Sequence, residues 1–324
     1  MTASSHHITV TTHLPEQVIE SLSSVGSLWT PRERGRLSHE QLKEAVAGAD
    51  GIIATLNDEI GADVADAAGS SLRVVANVAV GHNNIDLDAL HSRGIIVTNT
   101  PGVLTEATAD IGFGLLLSVT RRLGEGERLL RSRTPWSFEL DFMLGTGLTG
   151  KTLGIVGLGQ IGQAMARRAI AFGMDVVYTS RRRVSSEVEQ ELNCHRLPMN
   201  ELLSESDVVS LHCPLTSETH HLMNAETFAM MKPTAYLINT TRGPVVDEVA
   251  LATALAEGAI AGAGLDVFEE EPKVEPSLLK MDNVALSPHL GSATVETRTA
   301  MAQLAADNAK AVLTGNNPLT PVRN

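Results

Sequence analysis

Cysteine is scarce in this 324-residue sequence, which contains only Cys194 and Cys213. The two have neither metal-ligand nor redox spacing, and such sparse usage is typical of a reducing compartment in which both thiols stay packed or idle. The first twelve residues also lack the basic flank and the long apolar segment of a secretory signal peptide. These absences predict a cytoplasmic protein.

Basic and aromatic residues are also few. The 25 lysines and arginines are outnumbered by 38 acidic residues, which gives a net charge of −13, and aromatic residues make up 3% of the chain. Such a chain attracts neither nucleic acid nor an anionic membrane surface, and it offers few rings on which bases could stack. The longest apolar stretch, residues 111–119, is too short to span a bilayer. We therefore expect no nucleic-acid partner and no membrane partner.

Strand-like and helix-like segments alternate along the whole sequence, which predicts an α/β protein with parallel sheets. Four strands are predicted in the first hundred residues, and a second series of six begins at Lys151. A long helical pattern runs from Leu104 to about Arg131, and a last helix over residues 294–313 follows the second series. Six strands with helices between them match one complete doubly wound sheet.

A glycine-rich turn joins the first strand of the second series to the helix that follows. Gly157, Gly159 and Gly162 form the pattern G-x-G-x-x-G in the strand–turn–helix context that makes it a dinucleotide-binding fingerprint. The first glycine would allow the tight turn, the second the approach of a pyrophosphate, and the third close packing of the helix on its strand. The residues between them, also predicted to bind the cofactor, are Leu158, Gln160 and Ile161.

The end of the next strand bears on the choice of nicotinamide cofactor. Ser180 lies 18 residues after Gly162, where an acidic residue would bond the ribose hydroxyls of NAD. Arg181 and Arg182 follow, with Arg183 beside them, and an arginine fork suits a 2′-phosphate. A solvated basic loop is the alternative interpretation. We expect NADP(H) to be preferred, with NAD(H) possible.

Three further stretches place chemically capable side chains where predicted strands end. Arg242 could hold a carboxylate with its planar fork, or it could form an ordinary surface salt bridge. The carboxylates from Asp266 to Glu271 could form no more than a solvated turn. His289 has the side chain of a general acid near neutral pH, but pattern alone does not separate it from ten other histidines, none with a metal-ligand partner at suitable spacing. We predict no metal site.

Taken together, these motifs resemble the D-isomer-specific 2-hydroxyacid dehydrogenase family over nearly the whole chain. The matching stretches are residues 157–162, 239–243, 264–272 and 287–293, with residues 79–86 and 99–105 resembling first-domain motifs. The similarity points to the glyoxylate/hydroxypyruvate reductase branch, and residues 178–181 resemble its NADPH-using members.

The resemblance implies reduction of a small 2-ketoacid to the D-2-hydroxyacid. Arg242 would bind the substrate carboxylate, His289 would be the general acid/base, and Glu271 would hold the His289 ring. Backbone N–H groups of Val80 and Gly81 would hold the other side of the carboxylate.

Further contacts follow from the same resemblance. Asp266 would accept a hydrogen bond from the nicotinamide amide. Apart from the resemblance, Leu56 is expected to shape the substrate pocket from the loop after a predicted strand. The other positions implied to bind the cofactor are Cys213, Pro214, Thr240, His289 and Gly291.

The family fold implies two doubly wound parallel-sheet domains. A flavodoxin-like substrate domain would combine residues 1–100 and 291–324, and a Rossmann cofactor domain would comprise residues 101–290. The helical segment from Leu104 to Arg131 resembles a dimerisation arm, so a homodimer is expected.

Two alternatives to the small-ketoacid reductase stay open. One is a D-2-hydroxyacid dehydrogenase for phosphoglycerate or a bulkier ketoacid. The other is a dinucleotide-sensing corepressor-like binding protein, which the lack of a long polar or Pro/Ser-rich extension disfavours.

Overall fold

The computed structural model describes residues 6–323 and divides into two compact units. Unit 1 comprises the described residues of 1–104 and 293–324, and unit 2 comprises residues 105–292. The predicted domain boundaries, after residues 100 and 290, lie within a few residues of these positions. The first five residues, part of the segment in which no signal peptide is expected, lie outside the described range, as does residue 324.

Unit 1 is built on a parallel sheet of five strands. The strand order β2-β1-β3-β4-β5 is that of flavodoxin-like folds. The central strand β3 and its neighbour β4 are buried throughout, as expected when helices cover both faces of a parallel sheet. The strands are β1 (His6–Val10), β2 (Gly26–Trp29), β3 (Gly51–Ala54), β4 (Val74–Asn77) and β5 (Ile96–Thr98).

Helices cover both faces of this sheet. The first and last helices pack against one face, and the other three pack against the opposite face. Side-chain caps fix where three of them begin: Ser38 and Gln41 form a capping box at α2, Asp86 caps α4, and Thr294 caps α12. The helices are α1 (Glu16–Ser23), α2 (His39–Val46), α3 (Ala62–Ala68), α4 (Leu87–His91) and α12 (Val295–Leu313).

Unit 2 contains a parallel sheet of seven strands in the order β12-β11-β10-β9-β6-β7-β8. From β6 the chain adds β7 and β8 on one side, and it then continues with β9 on the other side of β6. This change of side next to β6 is the topological switch point of a Rossmann sheet. The predicted fold class of two doubly wound α/β domains is therefore confirmed. The strands are β6 (Thr152–Val156), β7 (Asp175–Thr179), β8 (Cys194–Arg196), β9 (Val208–Leu211), β10 (Tyr236–Asn239), β11 (Gly262–Leu265) and β12 (Val284–Leu286).

Two hydrophobic clusters lie on opposite faces of the unit 2 sheet. Phe113, Leu116 and Met165 belong to one cluster, and Phe228 and Leu251 belong to the other. Short 3₁₀ helices occur at Gly243–Val245 and Leu278–Lys280. The α-helices are α5 (Thr105–Thr120), α6 (Leu123–Arg131), α7 (Gln160–Ala171), α8 (Ser186–Glu191), α9 (Met199–Glu205), α10 (Ala225–Met230) and α11 (Glu248–Ala256).

Three local predictions are wrong. The strand counts omit β2 and β8, which are short edge strands with too few buried positions to produce a clear apolar pattern. The single long helix is two helices, because Arg122 adopts a left-handed backbone conformation (φ 53°) between α5 and α6.

Within residues 6–323, no helix is both long and apolar enough to cross a membrane.

Candidate active site

The glycine-rich turn connects β6 to α7, and steric constraints explain two of its glycines. At Gly157 (φ 98°), a Cβ would lie 2.8 Å from the carbonyl of His212. At Gly162, a Cβ would lie 2.4 Å from the carbonyl oxygen of Gly157. At Gly159, by contrast, a Cβ would meet open space. The middle glycine therefore leaves room for a ligand above the turn.

A cavity of about 730 Å³ lies beside this turn. The first turn of α7 has no side-chain cap, so its N–H groups are free to bind an anion. This cradle of open glycine and unpaired helix N–H groups fits the pyrophosphate of a dinucleotide. Predicted cofactor residues in the cavity lining are Gly157, Leu158, Gly159, Ser180, Arg181, Arg182, Cys213 and Pro214. Predicted residues outside the lining are Gln160, Ile161, Gly162, Thr240, Asp266, His289 and Gly291.

His212, one of the ten histidines that the sequence pattern does not distinguish, forms part of the cavity wall. Desolvation lowers its pKa to about 4, so the ring is neutral at pH 7. Its Nε2 lies 2.8 Å from the hydroxyl of Ser210, while the buried Nδ1 has no partner among the described residues. The sequence could have indicated this role, because His212 lies at the end of a predicted strand and ligands bind at the carboxyl ends of parallel strands.

The three consecutive arginines after β7 differ in their partners. Arg183 donates to both carboxylate oxygens of Glu189, at 2.9 and 2.7 Å. That carboxylate also accepts from the hydroxyl of Tyr178 at 2.6 Å. Arg181 and Arg182 instead line the cavity. Arg183 is therefore held in an ion pair with Glu189, whereas Arg181 and Arg182 face the dinucleotide cavity.

Arg242 lies in the turn after β10, and Asn239 shapes that turn. The amide nitrogen of Asn239 donates to the Arg242 carbonyl at 3.0 Å, and its amide oxygen accepts from the Thr241 N–H at 3.0 Å. Thr240 follows the same strand, and its buried hydroxyl has no partner within the described chain. Burial lowers the pKa of Arg242, and the charge of Glu271 opposes this effect. The guanidinium stays charged at neutral pH.

Gly243 brings the Arg242 turn into direct contact with the loop after β11. A Cβ at this position would lie 1.9 Å from the Phe268 carbonyl and 2.3 Å from the Glu269 nitrogen. Only glycine fits, because backbone of a neighbouring loop occupies the space. The turn that holds Arg242 and the loop that carries Glu271 therefore pack as one body.

Glu271 and His289 form a hydrogen-bonded pair. The Nδ1 of His289 lies 2.8 Å from the Oε2 of Glu271, and the Phe268 N–H donates to Oε1 at 3.1 Å. Burial on its own would raise the pKa of Glu271. The hydrogen bond and charge of His289, with smaller contributions from Phe268 and Arg242, outweigh burial and lower it. The carboxylate thus stays ionised and fixes the proton on Nδ1, which leaves Nε2 for proton transfer.

Asp266 holds the backbone that carries His289. Its carbonyl accepts from the His289 N–H at 2.8 Å, and its carboxylate accepts from Ser287, Leu290 and Gly291 at 2.5–2.7 Å. These bonds maintain the backbone of His289 in the left-handed region (φ 53°), which residues other than glycine seldom adopt. Asp266 is thus a positioning residue, a role that its sequence did not indicate. Its contact with the nicotinamide amide stays a prediction.

Glu248, the first residue of α11, is a further positioning residue that the sequence analysis missed. Its buried carboxylate accepts from the Glu269 N–H at 2.6 Å and from the Glu275 N–H at 3.2 Å. Burial raises its pKa, and the two backbone donors oppose that rise. One side chain therefore clamps both ends of the loop that contains Glu271.

The predicted substrate contacts in unit 1 follow two adjacent strands. Leu56 lies after β3, with an exposed side chain, and Val80 and Gly81 lie after β4. Asn99 donates to the Val80 carbonyl at 2.8 Å, and Asn77 donates to the Gly81 carbonyl at 3.0 Å. With both carbonyls fixed, the N–H groups of this loop are held in a defined direction.

One group of histidines bears on the prediction of no metal site, which stays a prediction. No histidine has a metal-ligand partner at suitable spacing in the sequence, but the fold brings the possible ligand atoms of His220, His221 and Glu269 within 4.8 Å of one another. The sequence could not show this arrangement, because Glu269 lies 48 residues after His221 and only the fold brings the two loops together.

Comparison with known proteins agrees with the geometry. Residues 113–291 match the NAD-binding domain of the D-isomer specific 2-hydroxyacid dehydrogenases. The chain is 46% identical over 319 residues to a glyoxylate reductase from Thermococcus onnurineus, which covers 97% of this chain and 95% of that protein.

Solved structures extend this similarity to three dimensions. One is an NADPH-dependent glyoxylate/hydroxypyruvate reductase from Sinorhizobium meliloti in complex with NADP and malonate (37% identity, TM-score 0.85, covering 98% of this chain and 97% of that one). Another is the holo form of D-mandelate dehydrogenase from Rhodotorula graminis (31% identity, TM-score 0.90, covering 99% and 98%). The cofactor is a nicotinamide dinucleotide, and the chain belongs to the D-isomer-specific 2-hydroxyacid dehydrogenase family.

Proposed function

We propose that this enzyme reduces glyoxylate or hydroxypyruvate to the 2-hydroxyacid, the D isomer where the product is chiral, with NADPH as the preferred reductant. The observation that carries the proposal is the Glu271–His289 pair, joined at 2.8 Å and packed beside the Arg242 turn. A carboxylate-binding cation next to a paired histidine suits a substrate with adjacent carboxylate and keto groups. The glyoxylate reductases among its relatives support the same substrate class.

The chain's residues have separate roles in this reduction. Arg242 binds the substrate carboxylate and stabilises the negative charge that develops on the keto oxygen. His289 donates the proton from Nε2 to that oxygen, and Glu271 stabilises the imidazolium and keeps the ring oriented. When bound, the reduced nicotinamide supplies the hydride.

We assign substrate binding in unit 1 to the loop after β4. The N–H groups of Val80 and Gly81 hold the carboxylate, and the exposed Leu56 borders the substrate pocket. The discontinuous unit 1 is thus the substrate domain, and the continuous unit 2 is the dinucleotide domain. A cytoplasmic location agrees with two buried free cysteines, Cys194 and Cys213.

The test of the substrate assignment is nicotinamide absorbance with a series of ketoacids of rising size. Glyoxylate and hydroxypyruvate should give the highest kcat/KM. The similarity to D-mandelate dehydrogenase makes phenylglyoxylate the appropriate bulky competitor. Preference for phenylglyoxylate or phosphohydroxypyruvate would replace the proposed substrate. No turnover with any ketoacid would support the binding-protein alternative.

Preference for NADPH depends on Arg181 and Arg182, which line the cavity beside the uncharged Ser180. Replacing both by alanine should raise the KM for NADPH by about tenfold or more, because a charge-assisted contact to phosphate contributes about 1.5–3 kcal/mol. The KM for NADH should stay nearly unchanged, since NADH has no 2′-phosphate.

Arg183→Ala is the matched control for this pair. Arg183 is committed to Glu189 and should have little influence on the ratio of the two cofactors. Steady-state kinetics with both cofactors measure the effect. Equal changes in the NADPH and NADH constants of the double variant would overturn the assignment.

A homodimer is supported by exposed apolar residues on α6 and after it. No residue of α6 is buried, and Leu123 and Leu130 are 57% and 60% exposed. Apolar exposure of this extent is typical of an interface. Others in the same region are Trp136, Phe138, Leu140 and Leu144.

Light scattering should therefore give twice the chain mass of 34.4 kDa. Replacing Leu123 and Leu130 by glutamate should shift the particle towards the mass of one chain, because charges would then have to be buried at the interface. The exposed Leu319, in unit 1, provides a control position. A wild-type mass of one chain would contradict the dimer.

A further inference from the structure

A second group of chemically capable side chains lies outside the Arg242–Glu271–His289 site. We propose that His220, His221 and Glu269 bind a divalent transition-metal ion, with zinc as the preferred one. The Nε2 of His221 lies 2.6 Å from the Oε1 of Glu269. The rings of the two histidines stack with their centroids 4.1 Å apart, and the ligand atoms of all three residues lie within 4.8 Å.

Hydrogen bonds fix the backbone beneath both histidines. The His220 N–H donates to the Thr216 carbonyl at 3.0 Å, and the His221 N–H donates to the Pro244 carbonyl at 2.8 Å. The His221 carbonyl accepts from Asn224 at 3.0 Å. His221 is thereby held in the left-handed region (φ 49°). Strained backbone that its surroundings maintain is a recurrent property of ligand sites.

The third ligand is fixed as firmly as the other two. The Glu269 N–H donates to the buried carboxylate of Glu248 at 2.6 Å. A metal ion would take the place of the hydrogen between His221 Nε2 and Glu269 Oε1, and the three side chains would rotate on this fixed backbone to bring their ligand atoms to about 2.0–2.2 Å from the ion. Ligands on rigid backbone lose little entropy on binding, which favours affinity.

The donor set selects the ion. Two imidazoles and one carboxylate, with water in the fourth position, make up one of the known zinc ligand sets, whereas Mg²⁺ and Ca²⁺ prefer oxygen ligands. About a third of the His221 and Glu269 side chains is exposed, so water can complete the coordination. An oxygen of Asp247 lies 4.0 Å from the second ring nitrogen of His221 and adds negative charge around the site.

Bound zinc would join two loops of unit 2. Thr216 and Thr219, on the loop with the histidines, line the dinucleotide cavity. Glu269 belongs to the loop that carries Glu271. The ion would thus cross-link the cavity wall to the catalytic loop, and it should raise the melting temperature of the protein.

The experiment titrates untagged, chelator-treated, full-length protein with zinc chloride in a calorimeter. We expect one ion per chain, and His220→Gln should weaken binding by about tenfold or more. His220 is exposed and lies outside the catalytic machinery, so this variant should keep its fold and turnover. His195→Gln, which alters another exposed histidine of unit 2, is the matched control and should bind zinc as the wild type does.

Cobalt(II) gives a second readout, since tetrahedral coordination produces strong visible absorption. That absorption should appear with the wild type and be lost with His220→Gln and with His221→Gln. The proposal is overturned if the wild-type chain binds no zinc. It is also overturned if His220→Gln binds zinc as tightly as His195→Gln does, because the ion would then not use the proposed ligands.

Discussion

Replacing His289 by asparagine should lower kcat by about 10²–10⁴-fold, the usual contribution of a positioned general acid. Asparagine retains a polar side chain at a position with left-handed backbone, which it tolerates well. It has no titratable proton for the keto oxygen. The KM for the cofactor should change little, because His289 lies outside the lining of the dinucleotide cavity. Steady-state turnover and fluorescence titration with NADPH separate these two effects.

His195→Asn controls for the removal of an exposed histidine elsewhere in unit 2 and should leave turnover unchanged. If His289→Asn instead keeps a kcat within about twofold of the wild type, the rate gain expected of a general acid is absent, and His289 is not the proton donor. A loss of NADPH binding equal to the loss of turnover would show that His289 acts by holding the cofactor.

Replacing Arg242 by methionine should reduce kcat/KM for glyoxylate by about 10³-fold. Removing one donor to a developing oxyanion costs about 10²–10³ in rate, and the carboxylate loses its bidentate partner as well. Because the interaction grows as charge develops, kcat should fall and KM should rise. Methionine fills similar space, so the packing of the turn on Phe268 through Gly243 should survive.

Arg242→Lys distinguishes charge from geometry. Lysine keeps the positive charge but lacks the planar fork, and it should recover only part of the lost rate. The measurement is a full kinetic analysis of wild type and both variants with glyoxylate. An increase in KM with unchanged kcat in Arg242→Met would limit Arg242 to ground-state binding and remove its proposed role at the keto oxygen.

The sequence predicts the fold class because it depends on local patterns, whereas the candidate catalytic side chains are selected by the family resemblance and not by pattern alone. Apolar strands followed within three residues by Arg242 and His289 are visible in one dimension, and so is the turn with Gly157, Gly159 and Gly162. Their convergence follows from the sheet, since β10, β11 and β12 are neighbours and parallel. Parallel neighbours deliver the residues after their carboxyl ends to one edge.

Other features depend on contacts that no local pattern records. The separation of Arg183 from Arg181 and Arg182 requires knowledge of where Glu189 lies in space. The positioning role of Glu248 depends on loop N–H groups more than 20 residues away along the chain. Edge strand β8 was missed because three residues with a single buried side chain produce no periodic signal.

Close contact at Gly243 also restricts how the protein can diverge. A neighbouring peptide group occupies the position of a Cβ there, so the Arg242 turn and the Phe268–Glu271 loop cannot change length or course independently. An insertion in one would need a compensating change in the other at the same time, which makes gradual drift of either loop improbable. New substrate preferences should therefore accumulate at positions with free space, such as the exposed Leu56, while the two packed loops are inherited unchanged.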